Sequence, residues 1–245
     1  MQETWFKDWF NTPYYHQLYK DRDYTEAANF IDVLLKKISP SPNSLMLDVA
    51  CGKGRHSLQL ANKGFEVVGI DLSHESIQEA LLSEQSNLHF YEHDMRLPFW
   101  INYFDYAFNF FTSFGYFKSK REDENAIRSI AQSLKSNGVF VMDYLNVAYT
   151  ESQIEHLSKK EIDNVEFTIT KWHDEKFFYK KILIEDNNKK KNISFTETVS
   201  KYTLQDFTGL FEAQGLKIKD VYGDYQLSKY IAEESPRLIL VAQKA

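Results

Sequence analysis

LMLDVACGKGRHSLQL, residues 45–60, is the stretch on which the fold turns. An apolar run carrying Asp48 gives way to Gly52 and Gly54, and apolar residues then return at helical spacing. This reads as a buried strand, LMLDVA (45–50), a turn of bare backbone, and a helix closing on Gly64. The two glycines let the chain bend tightly and let a ligand come close to the backbone, while the helix start offers free N–H groups.

Working outward, YTEAANFIDVLLKKI (24–38) puts Ala27, Phe30, Ile31, Leu34, Leu35 and Ile38 on one helical stripe, ended by the loop SPSPNS. Downstream, FEVVGID (65–71) is a second strand without polar alternation, as in parallel sheets covered on both faces. SHESIQEALLSEQ is a helix with Ser73 as its N-cap. LHFYEHD (88–94) and FDYAFNFF (104–111) read as strands three and four. REDENAIRSIAQSLKSNG (121–138) is a helix stopped by Asn137-Gly138, and VFVMDYLN (139–146) is the fifth strand. Strands alternating with helices predict βαβ units in a doubly wound α/β sheet.

The rhythm then breaks. VEFTITKWH, KFFYKKILIE and NISFTETVSKY, joined by HDE and DNNKKK, predict three strands of a small antiparallel sheet within 164–200. A helix, TLQDFTGLFEAQ (203–214), follows, and LKIKDVYGDY and PRLILVAQK are the last two strands. The expected organisation is an N-terminal helical lid (1–40), a ligand-binding domain (41–148 and 202–245) and an inserted antiparallel β subdomain (149–201).

Composition narrows the function. The chain has 245 residues, 43% of them hydrophobic, enough for one sizeable domain with additions. A formal charge of -6 argues against a broad nucleic-acid surface. Cys51 is the single cysteine, which excludes an internal disulfide and suits a reducing compartment. No window approaches a membrane span and the N-terminus lacks a signal-like core, so the expected location is cytoplasmic.

In open α/β sheets the ligand sits beyond the carboxyl ends of the strands. There the first strand offers the Gly52–Gly54 turn, the second Asp71, placed to hydrogen-bond a ribose diol, and the third His93-Asp94, whose carboxylate can accept from an adenine amine. Taken singly, Asp71 also reads as a helix cap and Asp94 as a loop acid. Together the three strand ends describe an adenosine-containing ligand. A dinucleotide loop would carry a third glycine where Ser57 stands, and the Gly-Lys-Ser/Thr of a phosphate loop is missing.

LDVACGKGRHSLQLANKGFEVVGIDLS (47–73) strongly resembles the first two motifs of class I S-adenosylmethionine-dependent methyltransferases. HDMRLPF (93–99), FNFFTSFGYF (108–117) and LKSNGVFVMDYLN (134–146) are similar to the later motifs, so the likeness spans 45–146. It implies a Rossmann-like seven-stranded sheet whose last strand, PRLILVAQK, is antiparallel and inserted beside the fifth. It implies S-adenosyl-L-methionine as cofactor and S-adenosyl-L-homocysteine as product; no metal site is expected. By the resemblance the methionine end lies against Ala50, Gly52 and Gly54 with Asp48 near its amino group. Asp71 holds the ribose hydroxyls, Leu72 the adenine face, Asp94 the exocyclic amine and Met95 the ring. Asn109 and Phe110 border the methyl group, and with Asn109 in that place no strong base is evident there.

FNTPYYHQLYKDRDYTEA (10–27) is similar to aromatic segments that precede small-molecule methyltransferases, including sugar and glycine N-methyltransferase relatives. That implies a lid of Tyr14, Tyr15, Tyr19 and Arg22, with Tyr15 and Arg22 on the cofactor, Arg22 pairing its carboxylate, and Tyr14 and Tyr19 toward the substrate. Packing of these tyrosines beneath the first helix is the other reading, and both can hold. Methyl transfer needs the nucleophile ~3 Å from the methyl, in line with the breaking bond, and water excluded. A neutral amine needs no base; a hydroxyl does, and the candidates are His93, Tyr144 and His173. Phe111, Phe114, Tyr116, Tyr144 and Trp172 are candidates for an aromatic cage around a cationic or planar substrate, with core packing the competing role.

The expected function is therefore methyl transfer to a nitrogen or oxygen of a small molecule. The alternatives are an RNA or protein methyltransferase using the lysine-rich hairpin, and a non-catalytic cofactor-binding protein. Those lysines sit among Asp174, Glu175, Glu185 and Asp186 and equally suit a blunted sheet edge. No nucleic-acid or membrane partner is expected, and the insertion is a candidate homodimer interface.

Overall fold

In the computed structural model, residues 5–20, 24–187, 189 and 191–245 are described. The apolar run at 45–49 becomes β1 (Leu45–Val49), paired in parallel with β2 (Glu66–Asp71) on one side and β4 (Phe104–Asn109) on the other. β3 (Leu88–Glu92) extends the sheet past β2, and β5 (Leu134–Leu145) past β4. β10 (Leu216–Tyr222) and β11 (Arg237–Lys244) complete the order β10-β11-β5-β4-β1-β2-β3. β11 is antiparallel to both neighbours and sits between β5 and β10, as the resemblance implied.

Both faces of this sheet are covered, which is why β1 and β2 are almost unbroken apolar runs. Successive residues serve opposite layers. Met46, Val67 and Phe108 pack with α3 (Tyr24–Ile38), α4 (Arg55–Asn62) and α5 (His74–Ala80). Leu47, Val68, Ala107 and Phe140 pack with α6 (Lys120–Ser133) and α8 (Leu204–Glu212). Ser73 caps α5 by accepting from the Ser76 N–H, as its position foretold. α6 stops at Ser133, four residues short of the expected Asn137-Gly138 stop, and those residues lie within the early part of β5, where Asn137 takes φ +62°.

A second sheet has four antiparallel strands rather than the expected three: β6 (Leu157–Ile162), β7 (Val165–His173), β8 (Phe177–Asp186) and β9 (Lys191–Ser200). β6 escapes a sequence reading because it is an edge strand with no buried position, so its lysines replace the apolar alternation. α7 (Val147–Ser152) leads into it. Two short helices, α1 (Trp5–Phe10) and α2 (Pro13–Leu18), lie on the inner face of β7 and β8, where Trp9, Tyr14 and Leu18 join Phe167, Ile169, Ile182 and Ile184 in one apolar cluster. The Trp9 Nε1–H donates to Glu197 Oε1 at 2.7 Å, and the Tyr14 hydroxyl to Asp186 Oδ2 at 2.8 Å. Among the described residues no helix is long and apolar enough to cross a membrane, and no cluster of three metal-ligating side chains forms.

Candidate active site

A cavity of about 440 Å³ opens over the carboxyl ends of β1 to β4. Its floor brings together the three strand ends singled out in the sequence: Asp48, Ala50 and Gly52 from β1, Asp71 and Leu72 from β2, and His93, Asp94 and Met95 beyond β3. Phe110, Phe111 and Ser113 close the β4 side. Tyr15, His16 and Tyr19 come down from α2 and its C-cap, Tyr116 from the β4–α6 connection, and Glu197 from β9 of the second sheet.

The turn after β1 is held by Asp71. Its Oδ2 accepts from the Gly52 N–H and its Oδ1 from the Ser73 N–H, both at 2.8 Å, so one carboxylate fixes the glycine turn and the approach to α5. Ser73, not Asp71, is the helix cap, and each Asp71 oxygen keeps accepting capacity for a ribose hydroxyl. Burial pushes this carboxyl up, against the pull of the backbone N–H groups. Asp48 is nearly inaccessible, accepts from the Ser57 hydroxyl at 2.6 Å, and is pushed up by burial to about 7. A Cβ built on Gly52 (φ +56°) meets no protein atom within 4 Å, so bare backbone there fronts open space. One on Gly54 (φ +77°) would lie 2.4 Å from the Phe90 ring. Gly54 is needed for packing and does not line the cavity. A carboxyl asking for a cation, a second carboxylate and an open glycine turn fit the ammonium, ribose and aminoacyl backbone of S-adenosylmethionine.

Asp94 lines the cavity and is already engaged by Arg96. Arg96 Nε reaches both its oxygens at 3.0 and 3.1 Å, Nη2 bonds Oδ2 at 2.6 Å, and the Arg96 N–H bonds Oδ1 at 2.9 Å. Burial pushes Asp94 up, but the Arg96 bonds outweigh it and hold the acid below the usual carboxylate range. Arg96 is steadied in turn by Glu122 at 2.5 Å. The acid at the third strand end is therefore oriented, and its ionised form is favoured.

The turn after β4 is strained. Phe111 and Thr112 both take φ +58°, a conformation costly for side chains that are not glycine. Asp143, wholly buried on β5, accepts the Phe111 N–H at 2.8 Å and the Tyr225 hydroxyl at 3.1 Å. Arg237 clamps Asp143 Oδ1 through Nε at 2.7 Å and the Thr112 hydroxyl through Nη2 at 2.9 Å. This network fixes Phe111, whose ring lies 4.2 Å from the Arg55 guanidinium and stacks on Tyr225.

Several expected residues lie elsewhere. Tyr144 is fully buried and donates to the Ser200 carbonyl at 2.5 Å, and burial pushes its hydroxyl well above its ordinary value, which removes it as a base and as a substrate contact. Phe114 packs in the core against Phe207 and Tyr202. Tyr14 is committed to Asp186, and Trp172 stacks on Tyr179 away from the cavity. His173 is exposed, with Nδ1 2.9 Å from Lys201 Nζ. Asn109 lies behind the wall, donating to the Val49 carbonyl at 3.0 Å and tying β4 to β1. His93 does line the cavity, with Nε2 3.2 Å from the Leu97 carbonyl. Arg22 lies outside the described residues.

Among the lining residues that the sequence reading did not name are His16, Arg55, His56 and Glu197. Arg55 and His56 stand inside the glycine motif and were legible by position. His16, in the aromatic segment, is pushed below its ordinary value by burial, and its buried Nε2 finds no partner among the described residues. Glu197 had no local signal: besides Trp9, its Oε1 accepts from the Tyr19 hydroxyl at 3.0 Å, across 178 residues of chain.

Compared with known proteins, residues 40–192 match the family model described as a methyltransferase domain. The putative methyltransferase YqeM of Bacillus subtilis (strain 168) is 32% identical over 132 residues, 53% of this chain and 51% of that protein. The dTDP-3-amino-3,4,6-trideoxy-alpha-D-glucopyranose N,N-dimethyltransferase of Streptomyces venezuelae is 31% identical over 125 residues, 51% of this chain and 52% of that protein. The chain thus spans about half the length of the curated relatives it matches. A crystal structure of an S-adenosylmethionine-dependent methyltransferase from Clostridium acetobutylicum ATCC 824 superposes with a TM-score of 0.78 at 21% identity, covering 95% of this chain and 96% of that one. At that identity the likeness establishes the fold.

Proposed function

The chain belongs to the methyltransferase domain family, within the class I S-adenosylmethionine-dependent superfamily, and we propose that it methylates an amine of a small molecule. The observation that carries this reading is the roof. Tyr15, His16, Tyr19 and Glu197 line the same cavity as the strand ends, so the N-terminal helices and the second sheet bound the space beside the floor and favour a small acceptor. The lysines of the insertion support it as well. Lys159, Lys180 and Lys189 are set beside Glu166, Glu197 and Asp186 rather than aligned as an open phosphate track. The Streptomyces venezuelae relative, named for an amino-sugar acceptor, points to the same class.

When bound, S-adenosylmethionine supplies an electrophilic methyl group on a sulfonium sulfur. Asp48 would hold its ammonium, Asp71 its ribose hydroxyls, and Asp94 with Met95 its adenine. His16 and Tyr15, overhead, exclude water from the floor. Phe110 and Phe111 shape the β4 side, and the Asp143–Arg237 clamp keeps the Phe111 ring from relaxing out of place. Glu197 offers Oε2 to an acceptor N–H, which orients the nitrogen lone pair; a neutral amine needs no stronger base.

Titration calorimetry with S-adenosylmethionine and its demethylated product tests the cofactor half of this reading, and absence of heat with both would overturn it. Transfer of labelled methyl to a panel of small amines, amino sugars among them, tests the acceptor half. Label appearing only in RNA or protein would refute the small-molecule assignment.

A further inference from the structure

Beyond Glu197 lies a second cavity of about 310 Å³, between the second sheet, α7 and Pro236. Glu197 lines both cavities. Lys180 lines the second and is hydrogen-bonded to Tyr19, which lines the first. The two spaces therefore meet at one pair of side chains, Lys180 and Glu197, whose Nζ and Oε2 are 3.7 Å apart.

The strand register places a third group in the same row. Lys171 on β7 is directly opposite Lys180 on β8, which is directly opposite Glu197 on β9, so the three side chains leave the same face of the sheet. Two lysines opposite one another are destabilising unless an anion is shared between them. Glu197 answers Lys180. Lys171, half-buried in the lining of the second cavity, has no carboxylate within ion-pair distance among the described residues. Two cations against one carboxylate leave this row with one surplus positive charge, whereas the floor of the first cavity is set with the acids Asp48, Asp71 and Asp94. Tyr149 and Phe178 add aromatic surface beside the lysines.

We infer that the acceptor carries an anionic group, a phosphate ester or a carboxylate, which lies in the second cavity against Lys171 and Lys180 while its amine reaches past Glu197 into the first. This deepens the small-molecule amine reading and rests on it for the amine, but the anion site stands on its own residues. A molecule negative at one end and basic at the other would satisfy both halves of the row. A plain hydrophobic amine would leave Lys171 unanswered.

The test measures binding of inorganic pyrophosphate and of succinate to the full chain by calorimetry, at constant ionic strength set with chloride, in the wild type and in Lys171→Gln and Lys171→Glu. Wild type is expected to bind at least one anion. Lys171→Gln should weaken that binding about tenfold and Lys171→Glu abolish it, with affinity for S-adenosylhomocysteine unchanged within twofold in both. Preference for pyrophosphate assigns a phosphate ester, and preference for succinate a carboxylate. Absence of both anions from wild type, or equal affinity in wild type and Lys171→Gln, overturns the inference. Lys171-dependent anion binding in a protein that fails to bind S-adenosylhomocysteine would instead sink the methyltransferase reading and leave the anion site standing.

Discussion

At Asp48 a single buried carboxyl links pH to ligand binding. Burial raises it to about 7, so the free protein holds it neutral through most of the acid range. A cationic ammonium beside it favours the ionised form. Affinity for S-adenosylmethionine is therefore expected to rise roughly tenfold between pH 5.5 and 7.5, and binding at pH 6 should release a proton. Asp48→Asn should flatten the profile and weaken binding at pH 7.5 by about 1.5–3 kcal/mol, the scale of a hydrogen bond to a charged group. Calorimetry in buffers of different ionisation enthalpy reads both, and a flat wild-type profile would remove Asp48 from the cofactor. The neighbouring glycines separate binding from folding. Gly54→Ala drives a methyl into Phe90 at positive φ and should cost about 2–4 kcal/mol of stability in urea titrations. Gly52→Ala, with no protein atom to meet, should cost only about 1 kcal/mol of stability but weaken cofactor binding. Equal stability losses would contradict that division.

Between elements, the turn after β4 depends on a pair that sequence proximity never joins. Asp143 and Arg237 are 94 residues apart, on adjacent antiparallel strands. Arg237→Met would leave a wholly buried carboxylate with only the Phe111 N–H and Tyr225 hydroxyl, at an expected cost of about 3–5 kcal/mol. Pairing it with Asp143→Asn should recover much of that loss, and a single-variant loss below about 1 kcal/mol would show that the clamp does not hold the turn. The same separation explains what the sequence could disclose. β1, β2 and the capped helix α5 were readable because burial on both sheet faces and a local cap write themselves into neighbouring residues. The convergence of Gly52, Asp71 and Asp94 was readable because strand ends in a doubly wound sheet share one edge. β6 was hidden because an exposed edge strand has no apolar face to alternate. Tyr144 and Phe114 misled because an aromatic in a core strand or its exit turn looks the same whether it faces a ligand or a helix; here Phe207 takes both. Glu197 was invisible because its partners Trp9 and Tyr19 arrive from the other end of the chain.

Taken whole, the cavity is bounded by three regions: the N-terminal helices, the main sheet and the second sheet. α1 and α2 fasten to the second sheet through Trp9, Tyr14 and Leu18, and to the main sheet where Asn11 Oδ1 accepts from the Ser73 hydroxyl at 2.9 Å. A ligand touching Gly52 and Asp71 below and Tyr15, His16 and Tyr19 above ties these attachments together, so its binding free energy opposes their separation. For an opening that exposes the site, bound ligand slows exchange by a factor of one plus the ratio of free ligand to Kd, about a hundredfold at a hundred times Kd. Hydrogen exchange with S-adenosylhomocysteine at that excess should therefore show slowed amides in α2 together with those of residues 50–54 and 71–73. Strand β6, on the far edge of the second sheet and absent from the cavity wall, should exchange as before. Protection confined to 50–54 and 71–73, with α2 unchanged, would mean that the N-terminal helices cover the cavity without touching what it holds, and the enclosure on which the small-molecule reading rests would fail with it.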